Sequence, residues 1–289
     1  KIYDLALAIC MRPDENQFFR WDGVHFYFKK IPIPIGIFSE PIFLTSKQEA
    51  MVSQASELLL SSLKRIGTFF AKKDDLSKQI EISREEQVIL SETDWQKTVL
   101  PFVHLDGAIT PNRFIIYDVN ADSPGGPGLI DEFYSEFNSL DHMKIFRKFN
   151  LIKFDARYYN EEFLKTLKVH FGEGLNQHLL FTVYYPEKQK HDGYIIRNIE
   201  AFLLKKGIKT ESGPLENLIA ILNRNQESAT KINVIFWCNK NDILKNQNWS
   251  TVLKNRNMLS AVNCGANWVL GNKKFLAVFF QPLAERIFS

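Results

Sequence analysis

Residues Phe102 to Gly128 read FVHLDGAITPNRFIIYDVNADSPGGPG, and the rest of the chain is organised around this stretch. It holds two apolar runs, Phe102 to Asp106 and Arg113 to Asn120. Between them Gly107 to Asn112 supplies the Gly, Thr, Pro and Asn of a turn. The pattern predicts a hairpin. Alternation puts His104 and Asp106 on one face of the first strand, and Asp118 and Asn120 on one face of the second. Pairing then gathers Asp106, Asp118 and Asn120 at one end of a small sheet. Two carboxylates and a carboxamide are hard oxygen donors, a set that suits Mg²⁺ better than zinc. Acidic residues before a Pro-Gly run also make an ordinary solvated turn, and residue chemistry alone leaves both readings open. The glycines form no Walker-type cradle, because Pro124 and Pro127 lack the N–H groups that a phosphate loop uses.

The chain has 289 residues, enough to bury a sizeable core in about two domains. With 36 basic and 33 acidic residues, the net charge of +3 argues for no particular polyanionic partner, and no nucleic acid is expected. The 24 Phe residues fall in periodic segments and read as core. Cys10, Cys238 and Cys264 are far apart and in apolar settings, which suggests no disulfide framework or zinc site. A reducing, cytoplasmic compartment follows as the expectation. No apolar run reaches the ~18 residues of a membrane span. Asp4 and Arg12-Pro13-Asp14 spoil a signal-peptide reading, and the opening Lys1 suggests a start inside a longer polypeptide.

Trp21 to Phe28 reads as a short hairpin, and Ile31-Pro-Ile-Pro-Ile as extended chain. Arg12 and Arg20 are candidates to meet an anionic substrate, although surface arginines need no ligand. Thr45 with Gln48, and Ser83 with Glu86, are capping boxes. The first opens a helix to about Phe70, with Met51, Ala55, Leu58, Leu59, Ser62, Ile66 and Phe69 as its core face; the second opens a helix toward Leu90. After Gly128, Leu129, Phe133, Phe137 and Leu140 share a helical face. Asp131 and Glu132 fall in its first turn. The start of that helix, just past Ser123, Gly125 and Gly126, is a seat for a substrate carboxylate or phosphate.

From about Leu179 strand and helix alternate. Leu179 to Tyr185, Ile208 to Thr210, Ile232 to Trp237 and Asn267 to Leu270 read as strands. Asn160 to Phe171, Asp192 to Lys206, Leu215 to Leu222, Trp249 to Val262 and Phe275 to Ile287 read as helices. Such units give a parallel sheet flanked by helices, a mixed α/β fold. No GxGxxG follows the first strand, which argues against a dinucleotide site.

His104-x-Asp106, followed twelve residues later by Asp118-x-Asn120-Ala121-Asp122-Ser123-Pro124, resembles the metal-binding hairpin of circularly permuted ATP-grasp ligases of the glutathionylspermidine synthase-like kind. Gly271-Asn272-Lys273 resembles the family's helix start, whose Lys contacts nucleotide phosphates. The resemblance spans about Pro101 to Ile287. It implies that Asp106, Asp118 and Asn120 hold the Mg²⁺ of ATP, that Lys273 holds phosphate and that His104 faces the transferring group. Ser123, Gly125 and Gly126 would contact substrate. Asp118 stands where the family usually has Glu, and His104 where it usually has Arg.

The implied organisation is an amino-terminal helical region with the metal-site hairpin (1–145), then a Rossmann-like pre-ATP-grasp subdomain (146–270). The start of a nucleotide-binding region follows (271–289), with its remainder absent. The implied activity is ATP-dependent joining of a small-molecule carboxylate to an amine or thiol through an acyl phosphate. The isolated chain is expected to be inactive, with a second copy or a partner chain covering its last helix. The alternative is a non-catalytic descendant that binds a ligand or a protein on the same scaffold.

Overall fold

Leu179–Val183 (β6) and Ile232–Phe236 (β8) pair in parallel, Leu179 opposite Ile232 and Val183 opposite Phe236. Both strands are apolar almost throughout, as expected where a sheet is covered on both faces. Period-2 alternation then sorts their side chains. Leu180 and Ile235 face one core with Phe163, Leu167, Ile196, Ile199 and Leu203. Phe181, Val183, Val234 and Phe236 face a second core with Leu218, Leu222, Val252 and Trp268.

The computed structural model describes residues 19–21, 26–28, 31–33, 44–72, 82–95, 100–121, 128, 130–139, 141–149, 158–188, 192–225, 231–263, 265–280 and 282–288. It is a mixed α/β structure. Phe19–Trp21 (β1), Phe26–Phe28 (β2) and Ile31–Ile33 (β3) make an antiparallel sheet. Ser46–Ala71 (α1) and Arg84–Glu92 (α2) start at Thr45 and Ser83, and both expected capping boxes are formed. Each N-cap hydroxyl is worth about 0.5–2 kcal/mol. His104–Ile109 (β4) and Phe114–Asn120 (β5) are the antiparallel hairpin. Ile130–Ser139 (α3), Asp141–Lys148 (α4), Tyr159–Phe171 (α5) and Gly174–Gln177 (α6) lead into β6. Asp192–Lys205 (α7), Thr210–Gly213 (β7) and Leu215–Asn225 (α8) precede β8. Lys240–Leu244 (α9), Trp249–Lys254 (α10) and Leu259–Val262 (β9) follow it. Ala266–Leu270 (α11), Lys274–Val278 (α12) and Leu283–Phe288 (α13) end the described chain.

The parallel sheet has the order β7-β6-β8-β9, so strand order reverses at β6 and β8. A third core joins the hairpin to the helices: Leu63, Ile66 and Phe70 of α1 pack with Leu90, Trp95, Val119, Val269 and Phe275. No helix among the described residues is long and apolar enough to cross a membrane.

Four expectations are corrected. The last strand is Leu259–Val262, not Asn267 to Leu270, which is helical. The helix read through Val262 stops at Lys254, where Asn255 caps it. The core face of α1 keeps the expected Leu59, Ile66 and Phe69 and adds Leu63 and Phe70, whereas Leu58 is exposed. The terminal helix is two short ones, α12 and α13. Part of their apolar surface packs on α1, where Ile287 is buried and the Phe275 ring meets Phe70 edge-on at 5.7 Å, while Phe280 between them is exposed. The Arg65 guanidinium lies 5.3 Å from the centre of the Phe288 ring.

Candidate functional site: a carboxylate hairpin closed by a lysine

The hairpin builds its polar cluster through register. His104 lies opposite Asn120 and Asp106 directly opposite Asp118, and a bulge follows between Asp106 and Gly107. Gly107 is required there. A Cβ on it would come within 2.6 Å of the Ile115 carbonyl oxygen and 2.5 Å of the Phe114 ring. Leu105 and Val119, the intervening residues, pack into the core with α1. Their burial holds the four polar side chains on the outer face, because a slip of one residue would exchange the faces.

The side chains meet. Asn120 Nδ2 lies 3.3 Å from Asp106 Oδ2 and 3.4 Å from Asp118 Oδ2. His104 Nε2 lies 3.3 Å from Asp106 Oδ1. From far along the chain, Lys273 Nζ donates to Asp118 Oδ1, to Asn120 Oδ1 at 2.9 Å and to the Val119 carbonyl at 3.5 Å. Burial pushes the Asp118 carboxyl up, but hydrogen bonds from Lys273 and the Val119 amide outweigh it and hold the group below its ordinary value. With His104 neutral, the two carboxylates and one ammonium leave the cluster a net charge of −1.

Lys273 is placed by a buried network that the sequence does not announce. Glu86, the third residue of α2, accepts from Lys240 Nζ at 2.5 Å and from Asn272 Nδ2 at 3.3 Å. Lys240 also donates to the Trp268 carbonyl at 3.2 Å. Asn272 Oδ1 accepts from the Lys274 amide at 3.1 Å and fixes the turn that carries Lys273. The only hint of Glu86 in the sequence is its place in a capping box, and nothing local points to Lys240.

Of the expected site residues, His104, Asp106, Asp118, Asn120 and Lys273 are brought together. Ser123, Gly125 and Gly126 lie outside the described residues, as do Arg12 and the Arg20 side chain. The α3 start, read as an anion seat, carries two carboxylates already in use. Asp131 accepts from the Tyr159 and Asn160 amides at 2.5 and 3.0 Å, and so caps α5. Glu132 accepts from Tyr194 Oη at 2.6 Å and Asn198 Nδ2 at 2.8 Å. Among the described residues no three His, Cys, Asp or Glu side chains gather as a metal set. The hairpin offers two carboxylates and an amide. As donor chemistry this fits a hard cation, since carboxylate oxygens from both strands converge on the positive end of one Asn120 amide.

No protein-family model matches the chain, and no curated protein matches it.

Proposed function

We propose that the chain is part of an ATP-dependent carboxylate–amine or carboxylate–thiol ligase of the ATP-grasp type, with β6 to β9 as its Rossmann-like subdomain. The observation that carries this reading is the approach of Lys273 to Asp118 and Asn120. The resemblance implies a metal role for Asp118 and Asn120 and a phosphate role for Lys273 on separate motifs, and Lys273 lies 155 positions beyond Asp118 in the chain. In this reading Asp106, Asp118 and Asn120 hold Mg²⁺, and Lys273 turns from the carboxylates to a nucleotide phosphate. When bound, Mg²⁺ neutralises phosphate charge during transfer of the γ-phosphoryl to the carboxylate substrate. His104, beside Asp106, offers a donor to the transferring group. Until nucleotide arrives, the ammonium takes the place of a cation and offsets the repulsion between opposed carboxylates.

A second reading rests on the same contact. A lysine already seated on the carboxylates can serve as a permanent clasp between β5 and α12, with no metal and no catalysis. Isothermal titration of the chain with Mg²⁺, alone and with a non-hydrolysable ATP analogue, distinguishes the two. The ligase reading expects saturable Mg²⁺-dependent nucleotide binding that Asp118→Ala weakens by more than about tenfold, the effect of losing one charge-assisted contact. It also expects Lys273→Met to raise affinity for Mg²⁺ alone and lower it for the nucleotide. Absence of nucleotide binding by the unaltered chain, with a lower melting temperature in both variants, favours the clasp.

A further inference from the structure

Between α1 and α13 lies an open cleft of about 460 Å³. The size falls within the ~300–1,000 Å³ of small-molecule sites. Ser61, Lys64, Arg65 and Thr68 of α1 line it, followed by Lys72, the C-cap of that helix. Each lies three or four positions from a neighbour in the set, so the five form one stripe along the helix. The stripe runs beside the buried face of Leu63, Ile66 and Phe70. Phe69 and Ile287 supply the apolar part of the wall, and Ile287 of α13 makes the stripe one side of a cleft rather than a bare helix surface.

No carboxylate lines this cleft. Among the described residues no ion pair involves Lys64, Arg65 or Lys72. Three like charges therefore share one helix face, where neighbours three and four apart repel. The whole chain carries only +3, so the cleft is a local excess of positive charge. Arg65 is already fixed in place. Its Nη2 donates to the Ile287 carbonyl at 3.2 Å, and its guanidinium lies 5.3 Å from the centre of the Phe288 ring. That bond uses one of five N–H donors, and the planar fork matches the oxygens of a phosphate. The Thr68 hydroxyl is spent on the Lys64 carbonyl at 2.8 Å, which leaves Ser61 as the hydroxyl donor.

We propose that this cleft binds a small, multivalent phosphate, with Arg65 at its centre and the ammonium groups of Lys64 and Lys72 closing on it from either side. Lys64 and Lys72 stand about 12 Å apart along the helix axis, at 1.5 Å per residue. Charge spread over two phosphoryl groups fits that span better than a single orthophosphate. The site is independent of the ligase reading, because none of His104, Asp106, Asp118, Asn120 and Lys273 lines it.

Isothermal titration of the full chain with pyrophosphate and with orthophosphate tests this, in EDTA so that no Mg²⁺ site contributes. Pyrophosphate should saturate a single site at about 0.15 M salt and bind tighter than orthophosphate. Lys64→Ala and Lys72→Ala should each weaken it roughly tenfold or more, the loss of one charge-assisted contact. Neither change should lower the melting temperature of the unliganded chain, since neither ammonium has a partner there. Lys47→Ala removes an exposed charge of the same helix outside the cleft and should leave the affinity unchanged. Lys273→Met should also leave it unchanged, which separates this site from the hairpin. Lack of saturation, or equal weakening by Lys47→Ala, would overturn the proposal. So would loss of binding in Lys273→Met with Lys64→Ala and Lys72→Ala unaffected. Binding of phosphatidylserine vesicles that pyrophosphate does not compete away would assign the charges to a membrane surface and overturn it as well.

Discussion

Lys273 is ion-paired with Asp118 across 155 residues of sequence, and the same ammonium reaches Asn120 two positions further along β5. The contact ties the outer face of the hairpin to the turn before α12. It makes the two ends of the candidate site one electrostatic unit, so removal of either charge alters the other.

The pH dependence of Asp118 follows from that unit. Its carboxyl is held below the ordinary value, which is about 3.9 for an unfolded Asp. A depressed folded pKa means that the unfolded chain binds its proton first as pH falls. The stabilisation is complete above the unfolded value and is lost as pH drops through the folded one. Urea unfolding below pH 5 should therefore show a steeper loss of stability for the unaltered chain than for Asp118→Asn. Equal slopes would place the Lys273 contact outside the stability of the fold.

Glu86 and Lys240 make the prediction with the largest expected effect. Both are largely withdrawn from water, with side chains 7% and 16% exposed, and they join α2 to α9. Removing one partner of a buried pair leaves an uncompensated charge and costs about 3–5 kcal/mol. Lys240→Met should lower stability on that scale. Glu86→Gln, which keeps an acceptor for Asn272, should cost less. The denaturant midpoint measures both, and a loss under about 1 kcal/mol in Lys240→Met would class the pair with exposed ones.

What the sequence discloses about this fold is mostly local. Thr45–Gln48 and Ser83–Glu86 are legible because a capping box is complete within four residues. β6 and β8 are legible because their apolar runs are short and bounded. Leu259–Val262 is not, since Leu-Ser-Ala-Val continues the helical period of α10 and becomes a strand only by pairing with β8. Ala266–Leu270 misleads for a different reason. Every residue in it is buried, so it lacks the polar face by which a helix is recognised. The hairpin carboxylates can be read from motif spacing, and Lys273 only from motif order. The Glu86–Lys240 pair, which helps position Lys273, joins residues 154 apart and has no sequence pattern at all.

Gly67 lies inside α1, where helix propensity alone favours Ala by about 1 kcal/mol. Packing reverses the sign. The Trp95 indole lies against Gly67, and a Cβ there would fall 2.4 Å from Trp95 Cη2. Trp95 cannot easily withdraw, because its ring is buried and its Nε1 donates to the Leu90 carbonyl at 3.0 Å. Gly67→Ala should lower stability by about 1–3 kcal/mol, the usual cost of overpacking. The loss should shrink when Trp95→Phe is added. A more stable Gly67→Ala variant would mean that the indole does not hold this position.

His170 supplies a second pH limb with the same direction as Asp118 and a different cause. Burial against Phe171, whose ring meets the imidazole edge-on at 4.9 Å, lowers its pKa, and the Ala261 carbonyl raises it only in part. In the fold the neutral ring has its Nε2 3.2 Å from that carbonyl, linking α5 to β9. The unfolded chain protonates His170 first, near pH 6.5. The fold therefore keeps its full stability above that value and loses part of it as pH falls toward the depressed one. His170→Gln retains an N–H for Ala261 and cannot titrate. Denaturant midpoints at pH 7.5 and 5.5 should differ more for the unaltered chain than for His170→Gln, whose curve should be flatter. An identical drop in both proteins would assign that limb to other groups and remove His170 from the account.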